Sequence, residues 1–475
     1  MHIRHAISSA ILSLSAYDNA DGLDCIWVGL SAGVDSTVLL HALVQEVACS
    51  DVLAKKWSIK ALHVHHGLSK NADAWALQAD ALCRQLSNHY GLTIECIVER
   101  AQIENTSDGL EQAAREARYQ IFEKHCQDGD VLLQGHHLDD QIETFFMRAL
   151  RGSGLTGLSG IPKQRNLSRN NSCQILRPLL AFEKTQLFAY ATEHQLNWVE
   201  DESNKDEKID RNWWRNDLLP QIWQRYPKQK QALSRTLNNI QHEQGLLHQL
   251  ITEKIVSYNN PQALELKIHP ALNAIPRFDL RLIQDLDQAV ALSYLRAWLA
   301  QYVDVLPSSV QMQSIYGDMI EARIDAEPSF SWIDKTLYRY QGCLFLWFGQ
   351  SYLKELQPHE NDWAGESQPF SLGLLSCCQQ EQKQGMELKP VTYSVRLWRE
   401  GDVAKPVGRS TRKMKKWWQD FGVPSWARNH WPIIVDKHTQ EIVAVPGLFI
   451  CHGYQAQKNS IEISGWSLNW QFKSD

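Results

Sequence analysis

Short apolar runs alternate with helical periodicities through the N-terminal part of the chain, and this alternation restricts the fold more than any other feature. Residues 25–30, 59–65, 92–98 and 131–135 are apolar or β-branched, while helical patterns cover 37–47, 72–90, 110–125 and 139–150. Strands and helices in that order predict a mostly parallel sheet covered on both faces. Ligands of such sheets lie outside the carboxyl ends of the strands. Chemistry is therefore expected just after Leu30, Val64 and Gly135.

The first of these positions has the make-up of an anion trap. Residues 26–36 read Ile-Trp-Val-Gly-Leu-Ser-Ala-Gly-Val-Asp-Ser, a strand running into a small-residue loop and then a helix marked by Leu39, Leu40, Leu43, Val44 and Val47. Unshielded loop amides and a helix N-terminus hold phosphate well. The lysine of a Walker loop is absent, which argues against a P-loop GTPase or kinase. His63, His65 and His66 collect after the second strand, and His136, His137, Asp139, Asp140 and Glu143 after the fourth. These residues read either as hydrogen-bonded strand-end and helix-capping groups or as metal ligands; the metallohydrolase pattern His-x-His-x-Asp-His is not met. Arg115 and Arg118 share a helical face from which both could reach an anion, or could be ion-paired and solvated, as Glu111 with Arg115 would be.

At 475 residues the chain exceeds what one core organises. A net charge of −6 confines any nucleic-acid surface to a local patch. Ten cysteines without a Cys-x-x-Cys pair suit reduced thiols in a cytoplasmic protein. The apolar run 10–14 is too short and too serine-rich for a signal peptide and reads as an amphipathic first helix; no stretch suits a membrane span.

Ser31-Ala32-Gly33-Val34-Asp35-Ser36 resembles the Ser-Gly-Gly-x-Asp-Ser signature of the PP-loop family of N-type ATP pyrophosphatases, which cleave ATP between the α and β phosphates. The resemblance implies that this loop lines the pyrophosphate, with Asp35 a candidate Mg2+ ligand. Ala32 departs from the usual glycine, and alanine bears a left-handed backbone at a cost on the order of 1 kcal/mol. Further blocks narrow the resemblance: Val64-His65-His66-Gly67-Leu68, residues 111–119, 136–144, Arg151-Gly152-Ser153-Gly154, Arg177-Pro178-Leu179, 200–206, Arg211-Asn212 and Arg215. In that order they are similar to the tRNA(Ile)-lysidine synthetases. That family implies ATP-dependent ligation of free L-lysine to the wobble cytidine of tRNA(Ile) bearing a CAU anticodon, through an adenylated tRNA. Carried over by motif position, Asp35, Arg115, His136, Asp140 and Glu143 are the catalytic candidates. His136 and Asp140 would bind and deprotonate the lysine amine or orient the cytosine, and Arg115 would meet the adenylate or the lysine carboxylate.

The expected organisation is a Rossmann-like α/β PP-loop domain over 1–217, a mainly helical tRNA-docking domain over 218–350, a linker over 351–389 and a small α+β tRNA-binding domain over 390–475. Residues 160–173 read as an exposed basic loop. In the last domain, 393–398, 433–435 and 442–445 read as strands. Between them, Arg409, Arg412, Lys413, Lys415 and Lys416 put five positive charges into eight residues beside Trp417 and Trp418. The run is either a solvated helix face or, as the family resemblance implies, a grip on tRNA phosphates through Arg409, Arg412, Lys413 and Lys416, with the aromatics able to stack. Monomer and homodimer both stay open. The alternatives are a PP-loop tRNA thiolase, disfavoured by the missing cysteine pair, and an RNA-binding protein with a regulatory ATP site.

Overall fold

Strand β1 (Asp24–Gly29) sits inside a six-stranded sheet because its apolar residues must be covered on both faces; Ile26, Trp27 and Val28 are all buried. The computed structural model describes residues 2–12, 24–103, 110–168, 171–202, 210–258, 269–323, 326–348, 361–363, 368–370, 373–380, 393–455 and 465–472. They fall into two compact units, 1–247 and 248–475.

In the first unit the chain runs α1 (Ile3–Leu12), β1, α2 (Val34–Ala48), α3 (Asp51–Lys56), β2 (Trp57–His65), α4 (Ala72–Tyr90), β3 (Ile94–Arg100), α5 (Leu110–His125), β4 (Val131–Leu133), α6 (Leu138–Leu150), α7 (Leu155–Leu158), β5 (Gln164–Asn166), β6 (Gln174–Leu176) and α8 (Lys184–Glu193). Strand order is β3-β2-β1-β4-β6-β5, parallel except for the edge strand β5. The chain lays β2 and β3 on one side of β1 and β4 on the other, so the order reverses between β1 and β4 and opens a crevice at their carboxyl ends. Helix α2 packs against α1 and α8 as well as the sheet, and Leu39, Leu40, Leu43 and Val44 are buried. Residues 160–173, expected as an open loop, contain β5, which pairs with β6 as a hairpin.

The first unit extends past the boundary expected at 217. After α9 (Asp210–Trp213), a π turn at Trp214–Leu218 and α10 (Leu219–Arg225), the helix α11 (Gln229–Tyr258) begins, and Trp214, Leu219 and Leu237 bury against Leu138 and Ile142 of α6.

Helices predominate among the described residues of 218–350, as expected, but the second unit adds a sheet to them. Helices α12 (Gln288–Leu299) and α13 (Ser309–Ile315) share a core with an antiparallel sheet ordered β7-β10-β9-β8, made of β7 (Arg277–Asp279), β8 (Ser329–Trp332), β9 (Lys335–Tyr340) and β10 (Cys343–Phe348). The stretch expected as a linker holds β11 (Asn361–Trp363), β12 (Gln368–Phe370) and β13 (Gly373–Gln380). The third pairs with β20 (Gly465–Phe472), a partner far along the chain that local periodicity cannot reveal. The first pairs with β14 (Tyr393–Leu397), followed by β17 (Pro432–Asp436), β18 (Ile442–Val445) and β19 (Phe449–Ile450) in one sheet. A two-stranded ribbon of β15 (Val403–Ala404) and β16 (Arg412–Lys413) leads into α14 (Met414–Asp420), and α15 (Ser425–Arg428) precedes β17.

Ala32 adopts φ 65°, so alanine occupies the left-handed region that glycine favours, while its methyl packs into the core at 2% exposure. Strain relief on removing that methyl, about 1 kcal/mol, and the lost burial, also about 1 kcal/mol, nearly cancel. Ala32→Gly should therefore unfold in urea within about 1 kcal/mol of wild type, whereas Ala32→Val, with a branched Cβ at positive φ, should lose about 2 kcal/mol or more.

Candidate active site

The loop after β1 is organised by its own hydroxyls. Ser36 Oγ donates to the Gly33 carbonyl at 3.1 Å, lies 3.1 Å from Ser31 Oγ and accepts from the Ser31 amide at 3.2 Å. The Ala32 carbonyl accepts from the Val199 amide at 2.9 Å, and the Leu30 carbonyl accepts from His63 Nδ1 at 2.8 Å. The loop is thus held from two sides, with its Gly33 end capping α2. The strand-end histidines His63 and His65 take the structural role: His65 Nε2 meets Asp73 at 3.1 Å.

The turn after β4 lies directly against this loop. A Cβ on Gly135 would come 3.1 Å from the Asp35 carbonyl carbon and 3.2 Å from the Ser36 nitrogen. A side chain there would push the two backbones apart by a few tenths of an ångström. In consequence His137 Nε2 lies 3.6 Å from both Asp35 and Asp140, and its Nδ1 3.6 Å from Asp139. Asp139 is held in turn by Lys230 Nζ at 2.6 Å and the Lys184 amide at 2.9 Å.

Of the carboxylates singled out from sequence, Asp140 and Glu143 are fully engaged. Asp140 accepts from the His137 amide at 2.9 Å, Arg211 at 2.8 Å and Arg215 at 3.0 Å. Glu143, only 1% exposed, accepts from Arg211 Nε at 2.8 Å and Arg215 Nε at 2.7 Å. Two carboxylates against two guanidiniums neutralise one another away from water, the condition under which buried charges persist. Burial alone would raise the Asp140 carboxyl, but His137 and the arginines outweigh it and hold it well below the usual carboxylate range. Asp35 behaves oppositely: burial pushes its carboxyl up despite His137, and its Oδ1 has no hydrogen-bond partner. His136 is pushed by burial down to about 3, hence neutral, with Nδ1 unpartnered. Arg115 is exposed on α5, its guanidinium 5.1 Å from the Tyr119 ring.

The catalytic candidates read from sequence did not include Gly135, His137, Arg211 or Arg215, although His137 stood in the strand-end cluster and both arginines in the blocks shared with the family. A signal for the arginines was present: Asp140 and Glu143 are three apart and Arg211 and Arg215 four apart, spacings that put each pair on one helical face.

The orphaned Asp35 oxygen suits a divalent cation, which binds through one or two carboxylates plus substrate phosphates. No cluster of three or more ligating side chains exists among the described residues, so any ion here would take most of its ligands from a nucleotide.

In the second unit the basic run is brought together on β16 and α14, with Lys413 and Lys416 exposed. The tryptophans beside it do not offer stacking faces to bases, contrary to expectation. Trp417 and Trp418 are buried in the core, and Arg409 and Arg412 lie over the Trp417 ring at 5.5 and 5.3 Å. No helix among the described residues is long and apolar enough to cross a membrane.

Because the folded-state pKa of Asp140 lies below its unfolded value of about 3.9, its ion pairs stabilise fully above that value, and the contribution is lost as pH falls through the folded pKa. The stability gap between wild type and Asp140→Asn, read by urea unfolding, should be constant from pH 6 to 8 and shrink below about pH 4.

Known proteins resemble this chain along most of its length. A family model described as a PP-loop domain matches residues 6–222; models described as the TilS substrate binding domain and the TilS substrate C-terminal domain match 278–345 and 393–470. The tRNA(Ile)-lysidine synthase of Haemophilus influenzae strain PittGG is 35% identical over 89% of this chain and 94% of its own. That of Yersinia pseudotuberculosis serotype O:1b is 34% identical over 94% and 95%. A U34-tRNA thiolase from Methanococcus maripaludis, 15% identical over 50% of this chain and 78% of its own, superposes with a TM-score of 0.36, too weak a likeness to carry an argument. With identity of this level along nearly the whole length and all three domain models in register, the chain belongs to the tRNA(Ile)-lysidine synthase family.

Proposed function

We propose that this protein uses ATP to join free L-lysine to C2 of the wobble cytidine of tRNA(Ile) with a CAU anticodon, forming lysidine and changing the tRNA from a methionine to an isoleucine reader. The observation that carries the reading is the contact of the phosphate loop with the 135–140 turn at Gly135, which sets a nucleotide cradle beside His136, His137 and Asp140.

A carbonyl oxygen conjugated into a pyrimidine leaves poorly, so it must first be activated. In the proposed first step the C2 oxygen attacks the α-phosphorus of ATP and pyrophosphate departs. Ser31, Gly33 and Ser36 cradle the leaving phosphates with loop amides and hydroxyls, and Arg115 faces the adenylate. Mg2+ held by Asp35 would supply neutralisation of phosphate charge. In the second step the lysine ε-amine adds to C2 and AMP leaves with the oxygen.

That amine must first lose a proton, because an ammonium with a pKa of about 10.4 is not a nucleophile. His136 is neutral and its buried Nδ1 has no partner among the described residues, so we assign it the amine or the cytosine edge. Asp140 and Glu143, saturated by Arg211 and Arg215, act through those arginines to position the turn rather than as free bases. In the second unit, Lys413 and Lys416, together with Arg409 and Arg412, are assigned to tRNA phosphates.

Incubation with ATP, labelled lysine and a tRNA(Ile) transcript should place label in the tRNA with release of AMP and pyrophosphate. Arg115→Ala and His136→Ala should lower turnover at least about a hundredfold, and Lys413→Glu with Lys416→Glu should weaken tRNA binding without changing ATP binding. Sulfur incorporation in place of lysine, or ATP turnover indifferent to tRNA, would contradict the reading.

A further inference from the structure

Away from the loop at 31–36, five arginines of the first unit gather without a carboxylate to balance them. Arg115 lies on α5, Arg148 on the last turn of α6 and Arg151 just beyond it, Arg165 on β5 and Arg177 just after β6; among the described residues none is paired with an acidic side chain. Three of them meet at one side chain. The guanidiniums of Arg115 and Arg165 stand 5.1 and 4.9 Å from the Tyr119 ring, and Arg177 reaches its phenol, to which Gln134 also donates at 3.4 Å.

This arrangement is costly as it stands. Arg177 is only 4% exposed, and its Nε has no hydrogen-bond partner; Gln134 Oε1 is likewise buried and unpartnered. Burial together with repulsion from Arg165 and Arg115 brings the Arg177 guanidinium down to about 10. Burial pushes the Tyr119 phenol up, yet Arg115 and Arg165 outweigh it and bring it to about 8. At neutral pH about a tenth of such a phenol is ionised, so Tyr119 does not serve as the counter-ion. Arg177 donates to the Pro162 carbonyl at 2.8 Å and the half-buried Arg165 to the Asn166 carbonyl at 3.1 Å, partners that carry no balancing charge; a guanidinium so placed is stabilised when an anion from outside completes it, and forked donors converging from different elements suit a tetrahedral oxyanion.

We propose that Arg165 and Arg177, gathered at Tyr119 next to Arg115, form a phosphate-binding site built from residues other than the phosphate loop. The positive charge continues to Arg148 and Arg151, more than one small anion needs, so the phosphate is a diester of the RNA strand whose base enters the active site. This source rests on the tRNA reading above; the other source of the same chemistry is the α-phosphate of the nucleotide.

Arg165→Gln tests the site without touching a residue assigned to catalysis. Binding of a tRNA(Ile) transcript, measured without lysine across a salt series, should weaken about tenfold, and the slope of log affinity against log salt should fall by about one. ATP affinity, measured by calorimetry without tRNA, should be unchanged. Arg165→Lys should restore the slope but not the full affinity, a split that a merely structural role would not produce. Tyr119→Leu should match Arg165→Gln, while Tyr119→Phe, which keeps the ring, should bind like wild type. Loss of ATP affinity with tRNA binding intact would assign the phosphate to the nucleotide instead. Unchanged tRNA and ATP binding in a folded Arg165→Gln protein would overturn the proposal. Because these are binding measurements, they hold or fail whether or not the wild-type protein forms lysidine.

Discussion

The chemistry of the first unit depends on one backbone contact, Gly135 against the peptide joining Asp35 and Ser36. Parallel strands deliver two turns to the same end of a sheet, but they do not by themselves bring those turns into touch. With no Cβ at 135, the turn after β4 closes onto the N-terminus of α2 at the point where the strand order reverses. His137 then comes within 3.6 Å of Asp35, and a cradle for phosphate and a set of polar side chains become one site.

Within that site the charges divide into two groups. Asp139, Asp140 and Glu143 are each matched by cations, Lys230 for the first and Arg211 with Arg215 for the others, and so fix the geometry of the turn. Asp35 and His136 are each left with a buried atom that has no hydrogen-bond partner among the described residues. Buried polar atoms without partners cost on the order of 1–3 kcal/mol each, and these two lie beside the loop at 31–36. The left-handed Ala32 belongs with them: the loop keeps a strained residue at the place where its amides must face inward.

Much of this architecture was legible in the sequence. Helices α4 and α5 begin and end where their amphipathic periodicity says, and β1 to β4 fall within a few residues of their apolar runs. What escaped were the three-residue strands β5 and β6 and the short strands of the β7–β10 sheet, too brief to show a periodicity, and β13, whose mate β20 lies beyond β14 to β19. The site divides along the same line. The loop 31–36 and the 136–143 turn stand out because their residues are contiguous. The arginines that neutralise Asp140 and Glu143 come from some seventy positions downstream, and their pairing with these carboxylates shows only when the fold brings them back. Trp417 and Trp418 were misjudged for a related reason: a basic run with tryptophans looks like a nucleic-acid surface, yet the tertiary core claims both rings and leaves only the charges outside.

The phosphate loop and the 135–140 turn meet through Gly135. The most direct measurement is the dissociation constant for ATP of Gly135→Ala, by calorimetry on protein shown to be folded. Since the added methyl meets backbone on the loop rather than a flexible side chain, the account predicts at least a tenfold loss of affinity although residue 135 has no side chain to bind nucleotide. An unchanged affinity in a folded protein would contradict it.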